Sequence, residues 1–277
     1  MRWNFPKYKI SSVDETIELI LRNKLSITRF GDGEFDLMLK NKSLAFQKSD
    51  SILSEKLRKT LNSRNPKLLV CIPDSFSSMK THAKFAREFW IAYINSNGKA
   101  LSKILDTNYH YGNANISRLY IFMKNKKKSK EHFQKIKNIW RSKDILIIEG
   151  KFSRLGVGND LFSDVNSLQR IVCPPVDAFK KYDSILDAAT KFGENKLILL
   201  ALGPTATVLS SELCDKGYWV IDIGHIDIEY MWMLMGVDRK VPIKGKFVNE
   251  SLNNLGYEMG QNDSITYNNS VVVNLCN

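Results

Sequence analysis

The sequence predicts an α/β protein with a Rossmann-like, mostly parallel open sheet flanked by helices. Three observations lead there. Short apolar, β-rich runs alternate with longer segments of helical period along most of the chain. Turns rich in glycine follow several of those runs. With 277 residues, 43% apolar and 25% charged, the chain suits one large globular domain over 1–277.

The elements follow in order. Ser12 with Glu15 three residues on forms a capping box, opening a helix over 13–23 with Val13, Ile17, Leu19 and Ile20 on a rough buried face. A strand over 26–30 ends in the sharp turn Gly31-Asp32-Gly33. Strand 67–72 precedes helix 80–95, and strand 119–123 precedes helix 130–141. Strand 144–149 runs into a glycine-rich loop. Strands at 169–173, 196–202 and 218–221 are each followed by a helix, at 182–192, 206–216 and 226–235. After about 237 the periodicity fades, giving a less regular tail from about 240 that ends in a short strand over 270–275.

Net charge is +12, which favours anionic partners. No zinc-finger, helix-turn-helix or RNA-binding signature accompanies it, so nucleic acid is not the expected partner. Cys71, Cys173, Cys214 and Cys276 form no CxxC pair, and Cys71 and Cys173 read as buried, reduced thiols. The N-terminus lacks a signal-peptide pattern, and apolar runs such as Leu197–Leu202 are far short of the ~20 residues that span a bilayer. The expected location is the cytoplasm. The lysine-rich run over 124–130 is either a solvated loop or a peripheral contact with the inner face of the membrane.

Ligands of open parallel sheets bind beyond the carboxyl ends of the strands, so the residues after each strand matter most. In Arg29-Phe30-Gly31-Asp32-Gly33-Glu34 two carboxylates stand one residue apart. Both can reach one Mg²⁺ or Mn²⁺, ions that commonly take one or two carboxylates plus substrate phosphates. Arg29 pairs with a phosphate or holds a carboxylate in place. Without a ligand, Asp32 is a turn residue and Glu34 starts a helix.

The loop from Gly150 to Asp160 offers glycines for close backbone approach to phosphate, and Ser153, Arg154, Gly156, Gly158 and Asn159 as contacts. Asp160 binds a sugar hydroxyl or caps a following helix. Gly203 and Thr205 open another helix, whose N-terminus attracts anions or is simply capped. His225 suits a general base or a metal ligand, with Asp227 and Glu229 to orient it, bind an acceptor hydroxyl or complete a metal site. Asp177 is placed to meet a nucleoside hydroxyl or amide.

Taken in order, RFGDGE, GKFSRLGVGNDLF, ALGPTATVL and DIGHIDIEY resemble the bacterial glycosyltransferase family of GT-D fold, formerly domain of unknown function 1792, over about residues 10–240. The resemblance implies a UDP-sugar donor, UDP-glucose or a related one, and a DxE metal motif carried by Asp32 and Glu34. It implies donor contacts from the 153–160 loop and a functional role for His225. The acceptor class it implies is a glycan, lipid-linked glycan or glycoprotein of the bacterial surface. Two positions depart from the family pattern: Met231 stands where an acid is common, and Asp177 where Asn is common. A nucleotide-sugar hydrolase or another metal-dependent phosphotransfer enzyme is the alternative reading, and the sequence is compatible with a homo-oligomer.

Overall fold

The computed structural model describes residues 5–247 and 258–276. In chain order the elements are β1 (Lys9–Ile10), α1 (Val13–Asn23), β2 (Ser26–Arg29), α2 (Asp32–Lys40), α3 (Ser51–Leu61), β3 (Leu68–Ile72), α4 (Lys84–Ile104), β4 (His110–Asn113), α5 (Lys127–Lys137), β5 (Asp144–Gly150), β6 (Ser167–Cys173), α6 (Tyr182–Phe192), β7 (Leu197–Ala201), α7 (Pro204–Asp215), β8 (Trp219–Asp222), α8 (Ile226–Met235), α9 (Gln261–Ser270) and β9 (Val271–Asn274). The strands form one sheet in the order β1-β4-β3-β2-β8-β7-β5-β6-β9, and the pairings between these strands are parallel.

A parallel strand covered on both faces must be apolar on both, and Ile145–Ile148 of β5 and Ile198–Leu200 of β7 are fully buried. Side chains alternate across the sheet. Leu146, Ile148, Ile198 and Leu200 pack with residues of α2, α3, α4, α6 and α7. Ile145, Ile147, Leu197 and Leu199 pack on the opposite face with α1, α5 and α8. Trp232 of α8 is fully buried there, with Nε1 donating to the carbonyl of Val241 at 2.9 Å. Cys71 and Cys173 lie in β3 and β6 as buried free thiols.

Several sequence expectations are corrected. Residues 119–123 are not a strand; the strand in that place is β4. Leu119, Tyr120 and Ile121 are nonetheless buried, because the amides of Tyr120 and Ile121 both donate to the carboxylate of Glu229 at 2.8 Å. A side chain thus satisfies backbone groups that a ladder would otherwise pair. Gly31-Asp32-Gly33 is not a free turn: Gly31 caps α2 and Asp32 is its first residue. Helix α3 is an addition to the elements read from the sequence. Asp50 caps it by accepting from the amide of Leu53, and Leu53, Leu57 and Leu61 form its buried stripe. Helix α4 runs past the polar stretch at 95–98, with Asn97 bonding back to the carbonyl of Tyr93 at 3.0 Å. In the tail, α9 and β9 are regular, and β9 extends the sheet along β6. The part of that tail at 248–257 lies outside the described residues. Among the described residues, no helix is long and apolar enough to cross a membrane.

Candidate active site

Strands β2 and β8 are neighbours, with β3 and β4 to one side and β7, β5 and β6 to the other. The chain leaves β2 towards β3 and arrives at β8 from β7, so the connections diverge and open a crevice at the carboxyl ends. A cavity of about 550 Å³ lies there. Arg29, Gly31, Asp32 and Glu34 line it from the end of β2, and His225 and Asp227 from the end of β8. Ser153 and Gly203 reach it from the loops after β5 and β7. Arg154, Gly156, Gly158, Asn159, Asp160, Asp177, Thr205 and Glu229 are not among its lining residues.

At the centre, Arg29 works inside the protein. Its Nε donates to the carbonyl of Asp222 and its Nη2 to Asp222 Oδ1, both at 2.8 Å. Its Nη1 donates to Ser117 Oγ at 2.6 Å. Of the two roles open to Arg29, the second is the one seen: it holds a carboxylate in place. Burial raises the Asp222 carboxyl above its ordinary range, and the Arg29 charge opposes that shift. The close approach requires glycine at 224, where a Cβ would stand 1.8 Å from Arg29 Nη2 and φ is +41°.

Asp32 and Glu34 occupy the first turn of α2, where free N–H groups give positive potential. Glu34 Oε2 accepts from the amide of Gly31 at 2.7 Å. Glu34 keeps a partial opening on the cavity, yet burial pushes its carboxyl up to about 7, against the backbone hydrogen bonds that favour the ion. Asp32 is exposed. Among the described residues there is no group of three or more His, Cys, Asp or Glu able to hold a metal. Two carboxylates are as many as Mg²⁺ and Mn²⁺ commonly take from a protein, their other ligands coming from substrate phosphate and water. The pair does not fit a metal caged by protein alone.

The glycine-rich loop is fixed by acids buried beneath it. Asp227 Oδ1 accepts from the amide of Gly156 and from Asn159 Nδ2, each at 2.8 Å, while Asp227 Oδ2 pairs with Lys246. The side chains of both partners of that ion pair are buried. Glu149 Oε2 accepts from the amide of Leu155 at 2.7 Å, and Glu149 Oε1 pairs with Arg170 and accepts from Tyr267. Gly156 takes φ +78°, and a Cβ there would meet the Phe162 ring at 2.7 Å.

Other expected ligand contacts have structural partners. Arg154 is buried and donates to the carbonyl of Gly245 at 2.7 Å. Asp160 accepts from Tyr230 at 2.7 Å and from Lys137 at 2.9 Å; these bonds, Tyr230 first, hold its carboxyl below the usual range. No helix follows Asp160, so it caps none. Glu229 is fully buried on the 120–121 amides, and Asp227 is committed to the loop and Lys246, so neither is a solvent-facing acid. Asp177 accepts from the amide of Lys48, and Thr205 donates to Gln47 Oε1 at 3.2 Å. Together they pin the 44–48 segment, whose Phe46 ring lies over Gly203 so closely that a Cβ there would stand 2.8 Å away.

Comparison with known proteins fits this geometry. Residues 27–251 match the family described as Glycosyltransferase GT-D fold. The chain belongs to the GT-D glycosyltransferase family. This GT-D chain is 37% identical over 270 residues to Glycosyltransferase GlyD of Streptococcus pneumoniae serotype 4, covering 97% of its own length and 33% of that protein's. It is 37% identical over 267 residues to a probable glycosyl transferase Gly of Streptococcus gordonii, covering 96% of itself and 39% of that protein. It thus spans a third to two fifths of these relatives. A solved structure described as the domain of unknown function 1792 with a distinct glycosyltransferase fold superposes with a TM-score of 0.92 at 40% identity, over 97% of this chain and 96% of that one. A glycosyltransferase of Streptococcus sanguinis superposes at 0.91 and 36% identity, over 97% and 100%.

Three residues of this GT-D site escape the sequence reading. Asp222 closes β8 as the partner of Arg29, and an acid at a strand's end opposite a buried arginine is its only signal. Gln47 and Lys246 lie in stretches without periodicity, and nothing in the sequence points to their partners Thr205 and Asp227.

Proposed function

We propose that this chain transfers a hexose from a UDP-sugar to a hydroxyl of a glycan, lipid-linked glycan or glycoprotein, with Mn²⁺ or Mg²⁺, on the cytoplasmic side of the membrane. The observation that carries the reading is the exposed Asp32 beside Glu34 at the start of α2, opening onto a cavity at the sheet's switch point. Family membership supports glycosyl transfer as the class of chemistry.

A divalent ion, when bound, supplies positive charge against the leaving diphosphate. Asp32 and Glu34 would hold it. The N-terminal amides of α2 and α7 add partial positive charge on the same side. Ser153 and the backbone at Gly203 face the donor from the loops after β5 and β7. Arg29 fixes Asp222 and the turn at Gly224, and so sets where His225 enters the cavity. The acceptor oxygen bonds to the sugar C1 as the C1–O bond to the β-phosphate breaks. The electron pair leaves with UDP, and the hydroxyl proton passes to His225 acting as base.

A thermal-shift screen of nucleoside diphosphates and UDP-sugars, with and without Mn²⁺, tests the donor. Selective, Mn²⁺-dependent stabilisation by a UDP-sugar is expected. No stabilisation by any uridine nucleotide would overturn the reading, and turnover of UDP-sugar to free hexose with no transfer to any acceptor would favour a hydrolase.

A further inference from the structure

A group of polar side chains behind the cavity wall has no part in the steps above. Asp74 follows β3. Its Oδ1 accepts from His82 Nε2 and from Asn115 Nδ2, each at 2.7 Å, and its Oδ2 accepts from Asn113 Nδ2 at 3.4 Å. Ser75 Oγ stands 3.3 Å from the other ring nitrogen of His82. His82, Ser75 and Asn113 are buried. Of the five, Asn115 alone lines the cavity. The group decides which way the Asn115 amide points. A carboxylate oxygen accepts, so the NH₂ end turns to Asp74 and the carbonyl oxygen turns away. The main chain beneath is fixed as well, because the amide N–H of Asn115 donates to Asn113 Oδ1 at 2.9 Å. Among the described residues no donor reaches Asn115 Oδ1.

A cavity reads its ligand through a few polar groups of fixed orientation, held by hydrogen bonds from behind. Asn115 is such a group, and its place in the fold says what it meets. It sits in the short 3₁₀ turn Ala114–Ser117. That turn is tied to the end of β2, because Arg29 Nη1 donates to the carbonyl of Ala114 at 3.3 Å and to Ser117 Oγ at 2.6 Å. The same guanidinium packs against Gly224, the neighbour of His225. Asn115 therefore stands beside the ends of β2 and β8. The sugar of the donor has to lie there, with C1 in reach of both the ion on Asp32 and Glu34 and the base at His225. We propose that Asn115 determines sugar specificity: its Oδ1 accepts a hydrogen bond from one hydroxyl of the hexose to be transferred. Asp74 and His82 are positioning residues that keep the amide from turning round. A sugar whose hydroxyl at that carbon is inverted or replaced leaves Oδ1 unmet, and is bound less well. This rests on the donor reading above and names how the sugar part of that donor is read.

The test is titration calorimetry on the full chain with Mn²⁺, using UDP, UDP-glucose, UDP-galactose and UDP-N-acetylglucosamine against the parent, Asn115→Ala and Asp74→Asn. The parent is expected to prefer one UDP-sugar over the others. Asn115→Ala should bind that sugar nucleotide about tenfold more weakly and lose the preference. Asp74→Asn keeps the shape but lets the amide at 115 turn, so the preference should narrow by about threefold. Affinity for UDP itself should be alike in all three proteins, a split that a purely structural role would not produce. A parent that does not distinguish the UDP-sugars, or an Asn115→Ala variant that keeps the preference, would overturn the proposal while leaving the donor reading standing. Equal weakening of UDP and UDP-sugars in Asn115→Ala would also overturn it, by assigning the residue to the fold alone. So would unchanged UDP-sugar binding with a raised KM for the acceptor, since the hydroxyl met would then be the acceptor's. If UDP fails to bind even the parent, the donor reading fails and takes this one with it.

Discussion

Helices α2 and α8 follow neighbouring strands, and each opens with two acids one residue apart in its first turn: Asp32 and Glu34 in one, Asp227 and Glu229 in the other. On paper the two are equivalent. In the molecule Asp32 is exposed and Glu34 is partly open to the cavity, while Asp227 and Glu229 are 2% and 0% exposed and spend their oxygens on the chain itself. The difference comes from what packs around each helix. Leu44 and the cavity adjoin the first turn of α2. The first turn of α8 receives the glycine-rich loop, Lys246 and the 120–121 segment. A helix start that attracts anions can therefore serve a ligand or organise loops, and the number of amides already aimed at the acids decides which.

That contrast can be broken by substitution. The largest effect is expected at Asp32→Ala. Transfer from the UDP-sugar should fall by about 100- to 1,000-fold with the Tm unchanged, as measured by product formation and by calorimetry on one sample. A fall in Tm comparable to that at Asp227 would erase the distinction between the two helices. Asp227→Ala comes next. It leaves Lys246 charged and unpaired in the interior, a loss of about 3–5 kcal/mol, which at this chain length lowers the Tm by roughly 10 °C.

Glu229→Gln sharpens the same point at lower cost. The amide keeps one oxygen for the Tyr120 and Ile121 N–H groups but loses charge-assisted strength, about 1–3 kcal/mol by denaturant titration. Hydrogen exchange at 120–121 should accelerate before the rest of the sheet. The smallest effect is at Asp160, whose side chain is 60% exposed. Its carboxyl is held low by Tyr230 and then Lys137, so its stabilising contribution is present above its unfolded value, near 4, and fades as pH falls through the lower folded value. Asp160→Asn should remove that small acid-side slope, under about 1 kcal/mol at neutral pH given solvent screening.

Much of the architecture is legible in the sequence because burial writes a simple pattern. The runs at β5 and β7 are apolar throughout, as strands covered on both faces must be, and α6 and α8 end where a core stripe meets Gly193 and Gly236. Legibility stops where one residue type serves two structures. Residues 119–123 carry a strand's composition and a strand's burial, but a carboxylate 109 residues away replaces the ladder. Helix α3 hides behind a polar lead-in, since its stripe of three leucines is thin. At the site, spacing is enough to find RFGDGE and the glycine-rich loop, because both are local. It cannot show that Arg29 is absorbed by Asp222, or that Asp160 and Asp177 brace loops, because those partners meet only through the fold.

The brace beneath the glycine-rich loop reaches unusually far along the chain. Glu149 holds the Leu155 amide and is itself met by Tyr267, 118 positions downstream, while β9 seals the open edge of β6. During synthesis on the ribosome the loop thus lacks its full support until β9 has emerged. A fragment trimmed at residue 251, where the family match stops, would remove Tyr267 and β9 together and loosen the donor flank from below.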